Sequence, residues 1–505
     1  MPRPARRLNQ QSLLTSLSSE VCKFLRSAVE QCPAAQYATE LAVSGMEDGT
    51  QSHFTTASKL ALLKEHNTCW DALKWGETRD IPLLQKDIIW NLCGGVFAQS
   101  GLPGALRLHQ LPSQYRNVQA TSWRIPLHQE ITIMDLLALV ETPVLIATHD
   151  NTKSHVRIRI HLRSIATGQV HPLVINSVRI IDHILDMQCA WVDLSLQVSG
   201  DFIGVLFIAQ FETPELTAWN WKTGELILTR SSCDIATFTF LTSHLLLVGT
   251  AMNESEVIQP RLFVLDLSIP SKIKVTLTAD YTCIFGLPSF SLVVKPIKIV
   301  IRSDPSPEWK PNPRTQIPFS IARGQRLFLI TICVEEKKKE VSYDLFAPAD
   351  ILLSYVTALP PQTRQHVIDW DTWGPTGTRL LKSPPHSIVW TGYVFGSKFV
   401  LVTPPKNTAG QPLQTLQIWN FNQLVIKRAT ALGLENENMH YVNDTTVVTD
   451  CKDKVFVKTI RTSLPYSVTT RTLPPRSPEF TDAMCSEDAI LLATSDRCYL
   501  RVLIF

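Results

Sequence analysis

The chain has 505 residues, of which 45% are hydrophobic and 18% are charged, and its formal net charge is +3. This composition excludes a disordered chain, and the small net charge with dispersed basic residues argues against a surface for nucleic acid or anionic membrane. The length exceeds that of one compact core, so it predicts either several domains or one large closed repeat architecture.

The 11 cysteines are scattered without a CxxC pair, which argues against a disulfide framework and against a zinc ribbon. We therefore predict free thiols in a reducing compartment. The start MPRPARRLNQQ lacks the apolar core of a signal peptide, and no run of about 18 apolar residues is available to span a membrane. The predicted location is the cytoplasm or the nucleus.

Residues 1–80 are predicted to be helical. The segment LTSLSSEVCKFLRSAVEQC has apolar residues at three- and four-residue spacing, which is the pattern of one helix face, and the Cys-Pro pair after it ends that helix. A second helix is predicted over SKLALLKEHNTCWDALKW, with Leu60, Leu63, Trp70 and Leu73 along one face.

Residues 81–505 are predicted to be all β. Apolar strands that follow a short polar turn, such as TSHLLLVGT and GSKFVLVT, alternate with half-exposed strands such as LTAWNWKTGELIL. Recurring units of this kind predict a β-propeller, with a pair of β-sandwich domains as the alternative. The half-exposed strands predict about seven blades, with the chain ends sharing one blade; they lie near residues 106, 158, 216, 262, 341, 416, 455 and 499.

Two details of the predicted propeller can be tested directly. Trp219 and Trp221 are two residues apart and are expected on the same face of a strand, with Trp219 the more buried. Gly224 is expected to have a positive φ in the turn that follows. The final strand, RCYLRVLIF, is predicted to pair with a strand from residues 85–112 and so to close the propeller.

The chain lacks the local motifs of catalysis and metal binding, including GxSxG, the Walker loop, HExxH and paired CxxC. We therefore predict no enzymatic activity, cofactor or metal, with an enzyme site in the propeller channel as the alternative. Asp369 and Asp371 are either a carboxylate pair or part of a polar loop between blades. His128, His149 and His171 do not have the spacing of metal ligands.

The segment HVRIRIHLR is predicted to be a strand with a basic face and an apolar face. The basic face consists of His155, Arg157, Arg159, His161 and Arg163. It is interpreted either as a surface for an acidic or phosphorylated partner or as the solvated side of an outer strand.

Six phrases occur in order along nearly the whole chain: AAQYATELAVSGMEDG, KLALLKEHNTCWDALKW, GGVFAQSG, IRIHLRSIATGQVHPL, LTAWNWKTGELIL and IDWDTWGPTGTR. Together they resemble a large group of F-box proteins of mushroom-forming fungi, in which an F-box precedes a propeller-like β region. F-box proteins are substrate adaptors of cullin-RING (SCF) ubiquitin ligases. The resemblance therefore implies a Skp-type linker protein and a protein substrate as partners.

The chain departs from this group within the F-box itself. The segment LSSEVCKFLRSAVEQCPAAQYATELA joins the first F-box helix almost directly to the segment after the last one, and Ser18 stands where the group has proline. The incomplete surface predicts weak or absent linker binding. Any remaining binding is expected to depend on Leu17, Val21, Phe24 and Leu25. The alternative function is a protein-interaction scaffold without a ligase link.

Overall fold

The computed structural model describes residues 27, 30–49, 53–83, 90–101, 105–126, 133–136, 144–151, 155–175, 180–185, 192–209, 212–251, 259–291, 294–311, 317–336, 339–360, 362–383, 394–404, 406–408, 411–433, 438–448, 455–474 and 477–505. Most of the predicted first helix lies outside these residues, including Leu17, Val21, Phe24 and Leu25, whereas Ser27, Glu30 and Gln31 near its end are helical. Its role in linker binding therefore stays a prediction.

Five α-helices lie in the described ranges: α1 (Pro33–Ser44), α2 (Thr56–Asp71), α3 (Ala349–Ala358), α4 (Trp370–Gly377) and α5 (Gln423–Leu432). A proline begins α1 and Gly45, with φ of +71°, ends it, which is the usual asymmetry of helix ends. The predicted apolar face of the second helix is confirmed for Leu60, Leu63 and Trp70, which are buried, whereas Leu73 is buried but follows the end of α2 at Asp71. No helix in these ranges is long and apolar enough to cross a membrane.

The strands make up most of the described structure. In chain order they are β1 (Met46–Asp48), β2 (Glu77–Pro82), β3 (Trp90–Cys93), β4 (Val96–Gly101), β5 (Ala105–Gln110), β6 (Thr121–Pro126), β7 (Ile133–Leu136), β8 (Val144–Asn151), β9 (Val156–Arg163), β10 (Ile180–Leu185), β11 (Val192–Ser199), β12 (Phe202–Ala209), β13 (Glu215–Asn220), β14 (Glu225–Ser231), β15 (Ile235–Phe240), β16 (Leu245–Thr250), β17 (Arg261–Asp266), β18 (Ser271–Thr276), β19 (Cys283–Gly286), β20 (Lys295–Arg302), β21 (Phe319–Ile321), β22 (Leu327–Glu336), β23 (Lys339–Pro348), β24 (His366–Ile368), β25 (Arg379–Lys382), β26 (Val394–Phe395), β27 (Lys398–Val402), β28 (Lys406–Thr408), β29 (Gln411–Leu413), β30 (Thr415–Asn420), β31 (Met439–Val442), β32 (Thr446–Val448), β33 (Ile460–Thr462), β34 (Tyr466–Thr472), β35 (Phe480–Cys485), β36 (Ala489–Thr494) and β37 (Tyr499–Ile504).

Among the described residues, these strands form seven sheets of four or five strands, here numbered along the chain. Sheet I has the order β3-β4-β5-β6, sheet II β7-β8-β9-β10, sheet III β11-β12-β13-β14-β18 and sheet IV β15-β16-β17-β19-β24. Sheet V has the order β20-β22-β23-β25, sheet VI β26-β27-β30-β34-β31 and sheet VII β35-β36-β37-β2. Neighbouring sheets contact each other through their first strands, as in β3 with β7, β7 with β11, and β11 with β15. The fold is mainly β and is a β-propeller, as predicted.

The two phrases of the sequence have distinct positions in these sheets. The strongly apolar segments that follow a polar turn form the second strands of the sheets, and two of them, β16 and β36, are buried along their whole length. The half-exposed phrase forms third strands, so that seven of the eight predicted positions fall on β5, β9, β13, β17, β23, β30 and β37. The position near 455 is wrong, because that segment lies in a connection where Phe456 bridges to Phe290.

Sheet VII combines β2, which precedes the other six sheets in the chain, with the last three strands. The strand β2 pairs antiparallel with β37, from Glu77 opposite Ile504 to Pro82 opposite Tyr499. A partner for the last strand from residues 85–112 is therefore the wrong expectation, because those residues build sheet I. Trp70 stacks on Phe505 with ring centroids 4.2 Å apart, so the chain already lies beside β37 when it leaves α2.

The segment LTAWNWKTGELIL forms the predicted strand, turn and strand as β13 and β14. The order of burial is the reverse of the prediction, because Trp221 is fully buried whereas Trp219 is 4% exposed. Trp221 lies in the turn, where its indole N–H donates to the carbonyl of Gly200 at 2.9 Å and its ring meets the edge of His171. Gly224 has a φ of +73°, as predicted.

Replacing Gly224 with valine should destabilise the protein by about 1–2 kcal/mol, because a left-handed backbone costs a residue with a Cβ roughly that much. Gly324→Val is the matched control, because a Cβ at Gly324 meets no atom within 4 Å. Thermal unfolding of both variants measures the difference. A Gly224→Val variant as stable as the control would contradict the turn geometry.

Candidate functional site

The segment of α1, β1 and α2, here called the helical hairpin, is attached to one end of the propeller. Its strand β1 pairs antiparallel with β21, so that Met46 lies opposite Ile321. Because β21 belongs to the connection between β20 and β22, this pairing joins the hairpin to sheet V. The stacking of Trp70 on Phe505 joins it to sheet VII.

Side chains attach the helical hairpin to two further sheets. In sheet VI, the Asn422 amide donates to the carbonyl of Val43 at 2.9 Å. Tyr115, which follows β5 of sheet I, lies with its hydroxyl 3.0 Å from the sulfur of Cys69. The hairpin therefore contacts sheets V, VI, VII and I, all at the end where first strands turn into second strands.

A buried set of charged groups, here called the charge cluster, lies between the hairpin and the sheets. It consists of His66 on α2, Arg116 between β5 and β6, and the adjacent Glu487 and Asp488 in the turn between β35 and β36. The guanidinium of Arg116 pairs with Glu487 Oε2 at 2.5 Å, and its Nε donates to Asp488 Oδ2 at 2.5 Å. Each of the four residues is at most 6% exposed.

The hairpin supplies its own polar groups to this cluster. His66 Nε2 lies 3.3 Å from Asp488 Oδ1 and 3.1 Å from the indole nitrogen of Trp70, so it either donates to the carboxylate or accepts from the indole. Glu487 Oε1 accepts from the N–H of Ile321 at 2.6 Å. The same two carboxylates therefore bind groups from α2, β21 and sheet I.

Lys398, at the start of β27, lies beside the charge cluster. Its Nζ is 4.4 Å from the ring centroid of Trp70, which is the geometry of a cation–π contact. Burial lowers the pKa of Lys398, whereas the nearby Asp71 raises it. Burial also raises the pKa of Asp71. Sheet VI thus adds a cation to the junction.

The two adjacent carboxyl groups differ in acidity. Burial raises the pKa of Glu487 to about 7, although Arg116 opposes the change. Burial also acts on Asp488, but Arg116 and His66 outweigh it and hold the pKa of that carboxyl at about 2. Both carboxyl groups are deeply buried, and their partners come from different parts of the fold, which they join.

The candidate catalytic and metal residues do not come together in the described part of the chain. Asp369 and Asp371 are both exposed, and their segment forms the helix α4 instead of a polar loop. Its Trp373 is anchored by a hydrogen bond to the carbonyl of Gly286 at 2.8 Å. His171 is buried and accepts from the N–H of Leu173.

No group of three or more histidine, cysteine or acidic residues within the described ranges could hold a metal ion. Of the two other histidines considered for such a site, His149 lies in β8. The position of His128 is outside the described residues.

The predicted two-faced strand is confirmed as β9. Its apolar face is at most 1% exposed and consists of Val156, Ile158, Ile160 and Leu162. On the basic face, Arg157, Arg159 and Arg163 are half-buried and His161 is buried. This face is therefore more enclosed than the solvated side of an outer strand.

Sequence reasoning missed the charge cluster. Its members come from positions 66, 116, 487 and 488, and nothing in their local sequence sets them apart. The adjacent acids in SEDAILL have the pattern of an ordinary solvated turn before a buried strand. Only the folding of the chain ends onto one sheet brings these positions together.

No protein-family model and no curated protein match this chain. Among solved structures, it is similar to the WD40 domain of SCAP from fission yeast, with 8% identity, a TM-score of 0.39 and coverage of 85% of this chain and 98% of that one. It is also similar to a chain of the yeast Nup82-Nup159-Nup116 nucleoporin complex, with 9% identity, a TM-score of 0.38 and coverage of 84% and 99%. A third similar structure is the β-propeller domain of the Trilobed protease from Pyrococcus furiosus. The identity is 7%, the TM-score is 0.32, and the match covers 83% of this chain and 94% of that one.

Replacing Arg116 with methionine should destabilise the protein by about 3–5 kcal/mol, because it leaves two carboxyl groups buried without their cation. Arg501→Met is the matched control. The guanidinium of Arg501 pairs with the half-exposed Asp80 at 2.9 Å, and a surface pair of this kind contributes about 0–1 kcal/mol. Chemical denaturation of both variants measures the loss in the free energy of unfolding. Equal losses in Arg116→Met and Arg501→Met would contradict the stabilising role of the charge cluster.

Glu487→Gln should weaken the dependence of stability on pH. The folded-state pKa of Glu487 lies above its ordinary value of 4.5, at about 7, so the folded protein binds this proton more tightly than the unfolded chain does. The stabilisation is fully present below the ordinary pKa and is lost as the pH rises through about 7. Glutamine cannot titrate, yet its oxygen still accepts from Ile321.

Urea denaturation at about pH 5 and about pH 8 measures this effect, and the variant should lose less stability across that window than the parent. Glu77→Gln is the control, since Glu77 is half-exposed, and this variant should follow the parent. An unchanged difference between the two pH values in Glu487→Gln would refute the assignment.

Proposed function

We propose that this protein is a protein-binding β-propeller without catalytic activity of its own, and that its seven sheets are the blades of one closed propeller. The seven sheets follow one another along the chain, and the pairing of β2 with β37 unites the two chain ends in sheet VII. Apolar residues of sheets VII and I belong to one core cluster, which supports closure between the last sheet and the first.

The observation that carries the proposed role is the attachment of the helical hairpin. The hairpin contacts four sheets: His66 of α2 lies 3.3 Å from the buried Asp488 of sheet VII, and Trp70 of α2 lies against both Phe505 and Lys398. Separating the hairpin from the propeller would leave Asp488 without its His66 contact and expose the buried Trp70, so the hairpin and the propeller move as one body. A partner bound near the hairpin is thereby held at a fixed position relative to a partner bound by the propeller.

The finer proposal is an F-box-type substrate adaptor of a cullin-RING ubiquitin ligase. An adaptor holds two proteins in a fixed relation, which is the property that the hairpin attachment supports. The resemblance to F-box proteins assigns the first partner as a Skp-type linker protein, bound through Leu17, Val21, Phe24 and Leu25. The second partner is a protein substrate on the propeller.

The alternative is a scaffold that binds proteins without a ligase link. The incomplete F-box favours this alternative, because the missing middle of the motif removes part of an interface that normally measures about 800 Å² per partner. The two functions differ in one partner only, the linker protein.

Affinity capture of the tagged full-length chain from its own organism distinguishes the adaptor from the scaffold. The double variant Val21→Asp/Phe24→Asp is the matched control. We expect protein partners that are recovered equally with the parent and the variant, with little or no Skp-type linker. A linker that is captured by the parent and lost with the variant would establish the adaptor role. A chain that elutes without any protein partner would overturn protein binding altogether.

Titration of the purified chain with the purified linker makes the distinction quantitative. The incomplete F-box predicts weak or absent binding. Nanomolar binding that is abolished by Val21→Asp/Phe24→Asp would instead show that the remaining helix is sufficient.

A further inference from the structure

We draw no further inference here: the strongest candidate, the outer edge of β10 in sheet II with the exposed side chains of Ile180 and Ile184, carries nothing, because Arg157 beside it already pairs with Asp182 of the same strand and nothing in the described part of the chain shows what covers the edge.

Discussion

The antiparallel pairing of β2 with β37 is the interaction on which the rest of the structure depends. A polar strand that precedes the propeller supplies the fourth strand of its last sheet, so the open edge of β37 is filled by the other end of the chain. The same pairing positions α2, whose Trp70 stacks on the terminal Phe505. His66, one turn earlier on α2, is thereby brought to Asp488.

The charge cluster follows from this geometry. Two adjacent carboxyl groups in one turn are shared between Arg116 from sheet I, the backbone of Ile321 and the histidine of α2. Removing such groups from water is costly, and the cost is offset only when every partner is present. The helical hairpin, the β21 connection and the last sheet therefore depend on one another.

The repeated strands of the propeller could be predicted from the sequence. The second strands are buried on both faces, so their sequences are continuous apolar runs, as in β16. The pairing of the last strand, β37, with an earlier strand could be predicted from the sequence. The identity of that earlier strand could not, because β2 has the sequence ETRDIP, which lacks the apolar alternation of a buried strand. Trp221 is more buried than Trp219 because the turn binds its indole, which spacing alone does not reveal. The charge cluster could not be predicted, since Asp488 lies 372 residues from Arg116 and Glu487 lies 421 residues from His66 along the chain.

Hydrogen–deuterium exchange across the helical hairpin, β2 and sheet VII is the most direct test of this account, which holds that hairpin and propeller are one cooperative unit. The account predicts that amides of α2, β2 and β37 are protected to the same degree and lose protection together in increasing denaturant. Rapid exchange in α2 and β2 at denaturant concentrations where β36 and β37 remain protected would contradict it, because the hairpin would then open on its own.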